Sequence, residues 1–128
     1  MTGGDYIEDF VDDPNDSPDL FDCEYSPIDA VINQVTVFTG WRTQATENGD
    51  RVLVAFGEGY GKSAFFTDSK KLKEVFTNPN RHYPFRAVIK VIPYGNMCGF
   101  RVFSPNTEIT QEDRDNYNLY KRTKKRNR

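Results

Sequence analysis

From residue 30 onward the chain alternates apolar and polar side chains with a period of two. In AVINQVTVFTGW, residues 30–41, Val31, Val35 and Val37 share one face and Gln34, Thr36 and Phe38 the other. β-Branched residues dominate, which suits a pleated strand. RVLVAF, residues 51–56, predicts a second strand with Val52, Val54 and Phe56 together, and KSAFFT, residues 62–67, a third. FRAVIKVIPY, residues 85–94, predicts a fourth with Phe85, Ala87, Ile89 and Val91 facing in, and CGFRVFSP, residues 98–105, a fifth. Only SKKLKEVF changes period: Leu72, Val75 and Phe76 fall at i, i+3 and i+4, one helical stripe. Asp68 or Ser69 can cap that helix, and Pro79 and Pro84 bar its continuation.

The breaks between strands carry turn chemistry. Asn48-Gly49 is a hairpin signal, and Gly40 permits a bulge or sharp bend in the long first strand. GEGYG at 57–61 and PYGNM at 93–97 read as turns. The expected fold is mainly β, a five-stranded OB-like barrel in the order β-β-β-α-β-β with one helix and disordered tails. A split sheet with one packed helix is the competing architecture. The expected divisions are a disordered acidic arm at 1–27, the barrel domain at 28–106, and a tail with a basic end at 107–128.

Charge sharpens these divisions. Residues 1–30 hold ten carboxylates and no lysine or arginine. Residues 31–106 hold ten basic and five acidic side chains, and six of the last eight residues are Lys or Arg. The net charge of −2 therefore conceals an acidic arm, a basic domain and a basic end. Within the arm, Tyr6, Ile7, Phe10 and Val11 interrupt the acid, a pattern of segments that dock on a protein partner.

Several chemistries lack their residues. Cys23 and Cys98 are far apart and without CxxC spacing, so reduced thiols in a cytoplasm are expected. With His82 they fall short of a zinc set, and no metal or cofactor is expected. GEGYGKS is no P-loop, because the first glycine would have to stand at Phe56 and a strand follows instead of a helix. No nucleophile has a partner base, so the chain is read as non-catalytic. No apolar run is long enough to span a membrane, and the first residues lack a leader's basic and apolar regions.

What remains is binding. Single-stranded nucleic acid is held by cations along its phosphates and by rings under its bases. The candidates for phosphate are Arg42, Arg51, Lys62, Arg86, Lys90 and Arg101, and those for stacking are Trp41, Tyr60, Phe65 and Tyr94. The runs AFFTDSKKLKEVF, YPFRAVIKV and GFRVFSP resemble OB-fold single-stranded-DNA-binding proteins of bacteriophages and mobile elements. The matching positions are Phe65, Phe66, Thr67, Ser69, Lys70, Leu72, Pro84, Phe85, Ala87 and Ile89, within residues 50–105. The resemblance implies DNA replication or recombination in a host cytoplasm. In bacterial members an acidic tail follows the core, whereas here the acidic arm precedes it.

The leading expectation is therefore non-catalytic binding of single-stranded DNA or RNA, with a second copy of the chain as an allowed partner. The rival is a protein-interaction or virion accessory module that docks through its acidic arm. A third outcome is intramolecular: the arm covers the basic face or meets the basic end, and deleting 1–27 tightens binding at low salt.

Overall fold

The computed structural model describes residues 20, 21, 23–58 and 61–126. Six strands and two helices follow one another: β1 (Glu24–Tyr25), β2 (Thr36–Thr46), β3 (Gly49–Phe56), β4 (Ser63–Thr67), α1 (Lys70–Phe76), β5 (Phe85–Tyr94), β6 (Met97–Phe103) and α2 (Gln111–Arg126). A 3-10 turn, Ile28–Val31, lies between β1 and β2.

β2 serves two neighbours. Thr36–Phe38 pair with Phe85–Ala87 of β5, and Gly40–Thr46 pair with β3. The register slips between Phe38 and Gly40, so the bulge expected at Gly40 is present and lets one strand bend from one partner to the other. The β2–β3 hairpin turns through Glu47 and Asn48, with Gly49 at φ +100°, a conformation that favours glycine. Thr46 Oγ1 donates to the Gly49 carbonyl at 2.6 Å and accepts from the Asn48 N–H at 3.2 Å, which satisfies the turn's polar groups. Of the two candidate caps, Asp68 and Ser69, it is Ser69 that caps α1, its hydroxyl accepting from the Leu72 N–H at 3.3 Å.

The inward faces meet in an aromatic core. Phe76 of α1 lies 4.9 Å from Phe38, 6.0 Å from Phe85 and 6.3 Å from Phe65 between ring centroids. Leu72 and Phe76 are wholly buried, so the helical stripe read from the sequence is the face that closes this end of the sheet. Ala87, Ile89 and Val91 of β5 point into the same core.

The fold is mainly β, but three expectations are corrected. The sheet has six strands, not five, in the order β1-β4-β3-β2-β5-β6, and it does not close into a barrel. β1 runs parallel along the outer edge of β4, pairing Glu24 with Ser63 and Tyr25 with Ala64, where closure would need β6. A cleft of about 360 Å³ separates the end of β4 from β6. Second, residues 28–35 are not strand: Asn33 adopts φ +59°, Ile32 makes an isolated bridge to Ile89, and Val35 is exposed.

Third, residues 111–126, expected as tail, form α2, so the domain carries two helices. Thr110 and Asp113 cap its start reciprocally: the Thr110 hydroxyl accepts from the Asp113 N–H at 3.1 Å and Asp113 accepts from the Thr110 N–H at 2.8 Å. Tyr117 donates to Asp29 at 3.3 Å, and Tyr120 meets Phe100 edge-on at 5.3 Å, so the helix is docked on the sheet. The expected acidic arm is corrected only at its end, where β1 forms; residues 1–19 lie outside the described residues.

Candidate functional site

The outward face of β2, β3 and β4 is where charge and rings meet. Cross-strand pairing sets Gln44 opposite Arg51, Arg42 opposite Leu53, and Leu53 opposite Phe66. Paired residues share a face, so Arg42, Gln44, Arg51 and Phe66 form one patch around buried Leu53. The Arg42 guanidinium donates to Gln44 Oε1 at 2.9 Å. Arg51 lies 5.1 Å above the Phe66 ring and pairs with Asp68 at 3.1 Å. That pair is a loose one, since 70% of the Asp68 side chain is exposed and water screens it.

A segment from the N-terminal side lies across this patch. The Phe21 ring sits 4.5 Å from the Arg42 guanidinium carbon. Tyr25 meets Phe66 edge-on at 5.4 Å, and its hydroxyl donates to Gln44 Oε1 at 3.5 Å. Leu20 rests on Gly40: a β-carbon there would lie 2.7 Å from the Leu20 methyl. Beneath this cover Leu53, Ala55 and Ala64 are removed from solvent. One group is left wanting. Arg42 Nε is buried with no acceptor among the described residues, a loss of about 1–3 kcal/mol for a polar group and more for a charged one.

The remaining candidates distribute unevenly. Phe65 is corrected: it is fully buried against Phe56 and Phe76, so no base can stack on it, and its neighbour Phe66 is the outward ring. Lys90 is corrected too. Its ammonium is buried and donates to the Glu108 carbonyl at 2.8 Å while pairing with Asp113 at 2.8 Å, so it anchors α2 and is unavailable to phosphate. Burial acts to raise the Asp113 pKa, but hydrogen bonds from Lys90 and Thr110 outweigh it and hold the carboxyl below its usual range.

Trp41 is exposed but lies opposite Val54, whose side chain belongs to the core, so it faces away from Arg42. Arg101 lies over Phe103 at 5.3 Å on β6, Arg86 borders a cleft with Glu58 and Pro84, and Tyr94 is half-exposed at the β5–β6 turn. Lys62 is exposed just before β4. Arg86, Tyr94 and Arg101 lie on β5 and β6, whereas the patch of Arg42 and Arg51 lies on β2 and β3. Tyr60 and the arm residues Tyr6, Ile7, Phe10 and Val11 lie outside the described residues.

The basic end of α2 forms a second cationic region. Lys121 covers the Tyr117 ring at 4.5 Å, and Lys124 pairs with Asp29 at 2.9 Å. A cleft of about 470 Å³ runs between Met97 and Cys98 of β6 and Tyr120, Thr123 and Lys124 of α2. Among the described residues no cluster of His, Cys, Asp or Glu has the make-up of a metal site, and no helix is long and apolar enough to cross a membrane.

Fold and site together define a small mainly β protein whose sheet carries an arginine–aromatic face under an N-terminal cover. The chain belongs to the family described as Domain of unknown function (DUF8468), whose model matches residues 22–103. That range runs from the covering segment to the end of β6 and stops before α2. Compared with curated proteins and with solved structures, the chain matches none.

Proposed function

We propose that this protein is a non-catalytic binder of single-stranded nucleic acid, DNA in the first instance, and that the outward face of β2–β4 is its binding surface. The observation that carries the reading is the patch itself: Arg42, hydrogen-bonded to Gln44, and Arg51, cross-strand from Gln44 and lying over Phe66, on adjacent strands. Guanidinium groups engage phosphates and stack on bases, and a ring beside them offers a second stacking plane. The adjacency β4-β3-β2-β5-β6, with α1 between β4 and β5, is what an OB-like sheet left open along one seam would have. The resemblance to phage and mobile-element proteins supports a place in DNA replication or recombination in a host cytoplasm. The basic end of α2 adds sequence-blind attraction.

Anisotropy of a labelled oligo-dT, titrated with the full chain at two salt concentrations, tests the reading. Binding should weaken with salt, and R51Q should lower the salt slope by about 0.7, the share of one phosphate contact on a single strand. R101Q, which alters a residue of β6 outside the patch, should change affinity far less than R51Q. Absence of salt-sensitive binding, or equal losses in both variants, rejects the assignment.

A further inference from the structure

The segment lying on the patch has the chemistry of what the patch is proposed to bind. In DLFDCEY, residues 19–25, the carboxylates Asp19 and Asp22 flank Phe21, and Glu24 precedes Tyr25. A single strand of nucleic acid likewise alternates flat apolar rings with negative charge. In the structure Phe21 lies against the Arg42 guanidinium and Tyr25 against Phe66 and Gln44, the groups assigned to bases and phosphates. We infer that Leu20, Phe21 and Tyr25 form a tethered occupant of the face, a peptide stand-in for the strand, which an incoming single strand must displace. This inference rests on the function proposed above.

Three observations carry it. First, the occupation is specific: the two rings take separate places along the patch, and Gln44 Oε1 accepts from both Arg42 and Tyr25. Second, it is incomplete, because Arg42 Nε is buried beneath the cover with no acceptor among the described residues. A ring offers a face but no oxygen, whereas a phosphate offers both charge and acceptors to a guanidinium. The occupant therefore holds the site less completely than its replacement would. Third, the two-residue strand β1 and the contact of Leu20 with Gly40 are the anchors at either end, and neither is an extensive ladder.

The carboxylates before the cover add a screened repulsion against any polyanion that approaches the same face. Asp5, Asp9, Asp12, Asp13, Asp16 and Asp19 stand in sequence directly before Leu20.

The test uses the full chain in three forms: wild type, F21A, and a variant with those six aspartates changed to asparagine. The asparagine variant alters no described residue and so keeps the sheet if F21A does not fold. Oligo-dT affinity is measured at about 50 mM and about 200 mM salt, concentrations between which phosphate contacts lose most of their strength. Both variants should bind roughly tenfold tighter than wild type at the lower salt, as expected when a tethered competitor is weakened. The advantage of the asparagine variant should shrink at the higher salt, since screening removes what the substitutions removed. In a C98S background the Cys23 thiol, half-buried within the cover, should react faster with a thiol reagent when oligo-dT is bound.

Equal affinity in the three forms, with Cys23 reactivity unchanged by oligo-dT, overturns the tethered occupant and leaves the binding assignment standing. Absence of oligo-dT binding in every form overturns both.

Discussion

Lys90 of β5 and Asp113 of α2 meet at 2.8 Å with both side chains almost wholly removed from water. The pair is completed by the Glu108 carbonyl, which accepts from Lys90, and by Thr110, which donates to Asp113. A buried charge is tolerable only while its counter-charge stays in place.

Asp113→Ala should therefore destabilise the fold by about 3 kcal/mol, since it leaves Lys90 buried and unpaired. The pH dependence has a definite sign. The folded Asp113 carboxyl titrates below its unfolded value, so its contribution is complete above the unfolded pKa and is lost as pH falls through the folded one. Denaturation midpoints of wild type should drop in acid below about pH 4, near the unfolded carboxyl's pKa, and those of Asp113→Asn should drop less.

Phe65 and Phe66 are neighbours with opposite duties, and alanine should separate them. Phe65→Ala opens a cavity between Phe56 and Phe76 and should destabilise by about 3–5 kcal/mol. Phe66→Ala removes the ring under Arg51 and should cost less stability while weakening oligo-dT binding by about 1–3 kcal/mol, the worth of one stacked base. Urea denaturation and anisotropy read the two effects separately.

Gly57 stands at φ +88°, and a β-carbon there would collide with the Gly61 carbonyl oxygen. Strain and clash act together, so Gly57→Ala should cost more than about 1 kcal/mol. Gly95→Ala makes a useful contrast. Its φ is +57°, but a β-carbon would meet nothing within 4 Å, so urea denaturation should give it the smaller loss.

The Tyr83 hydroxyl donates to the Phe76 carbonyl at 2.6 Å, and burial pushes its pKa up to about 12. A raised pKa adds stability that is complete below the unfolded value, about 10, and is lost as pH climbs through the folded one. In alkaline titration followed by tyrosinate absorbance, the step with a midpoint of about 12 should vanish in Tyr83→Phe.

Signals confined to a few consecutive residues were legible. Gly40 marked its bulge, Asn48-Gly49 its hairpin, Ser69 its cap, and the alternation of Phe85, Ala87, Ile89 and Val91 the inner face of β5. The phase of β4 was not legible, because Ala64 and Phe65 are both fully buried and the strand offers no polar alternation to read. α2 carries a local mark of its own: Thr110 and Asp113 at capping-box spacing, with Tyr117 and Tyr120 one turn apart. Its polar composition resembles a solvated tail, and its docking depends on Lys90, far away in sequence.

The site was half legible for the same reason. Arg42 and Arg51 stand on strands that the sequence predicts, and hairpin register brings them together. The cover over them depends on Leu20, Phe21 and Tyr25 meeting β2 and β4, contacts between distant stretches that no local pattern announces. Lys90 could not be told from a surface lysine without Asp113 beside it.

Because Phe21 and Tyr25 belong to the same chain as Arg42 and Phe66, no amount of dilution separates them. The local concentration of such a linked segment is of millimolar order whatever the protein concentration. A lone mononucleotide at micromolar levels would compete poorly with it, whereas a longer strand gripping several points at once could prevail. With the face binding single strands as proposed, the tether would set a threshold of length, passed by polymers and not by their building blocks.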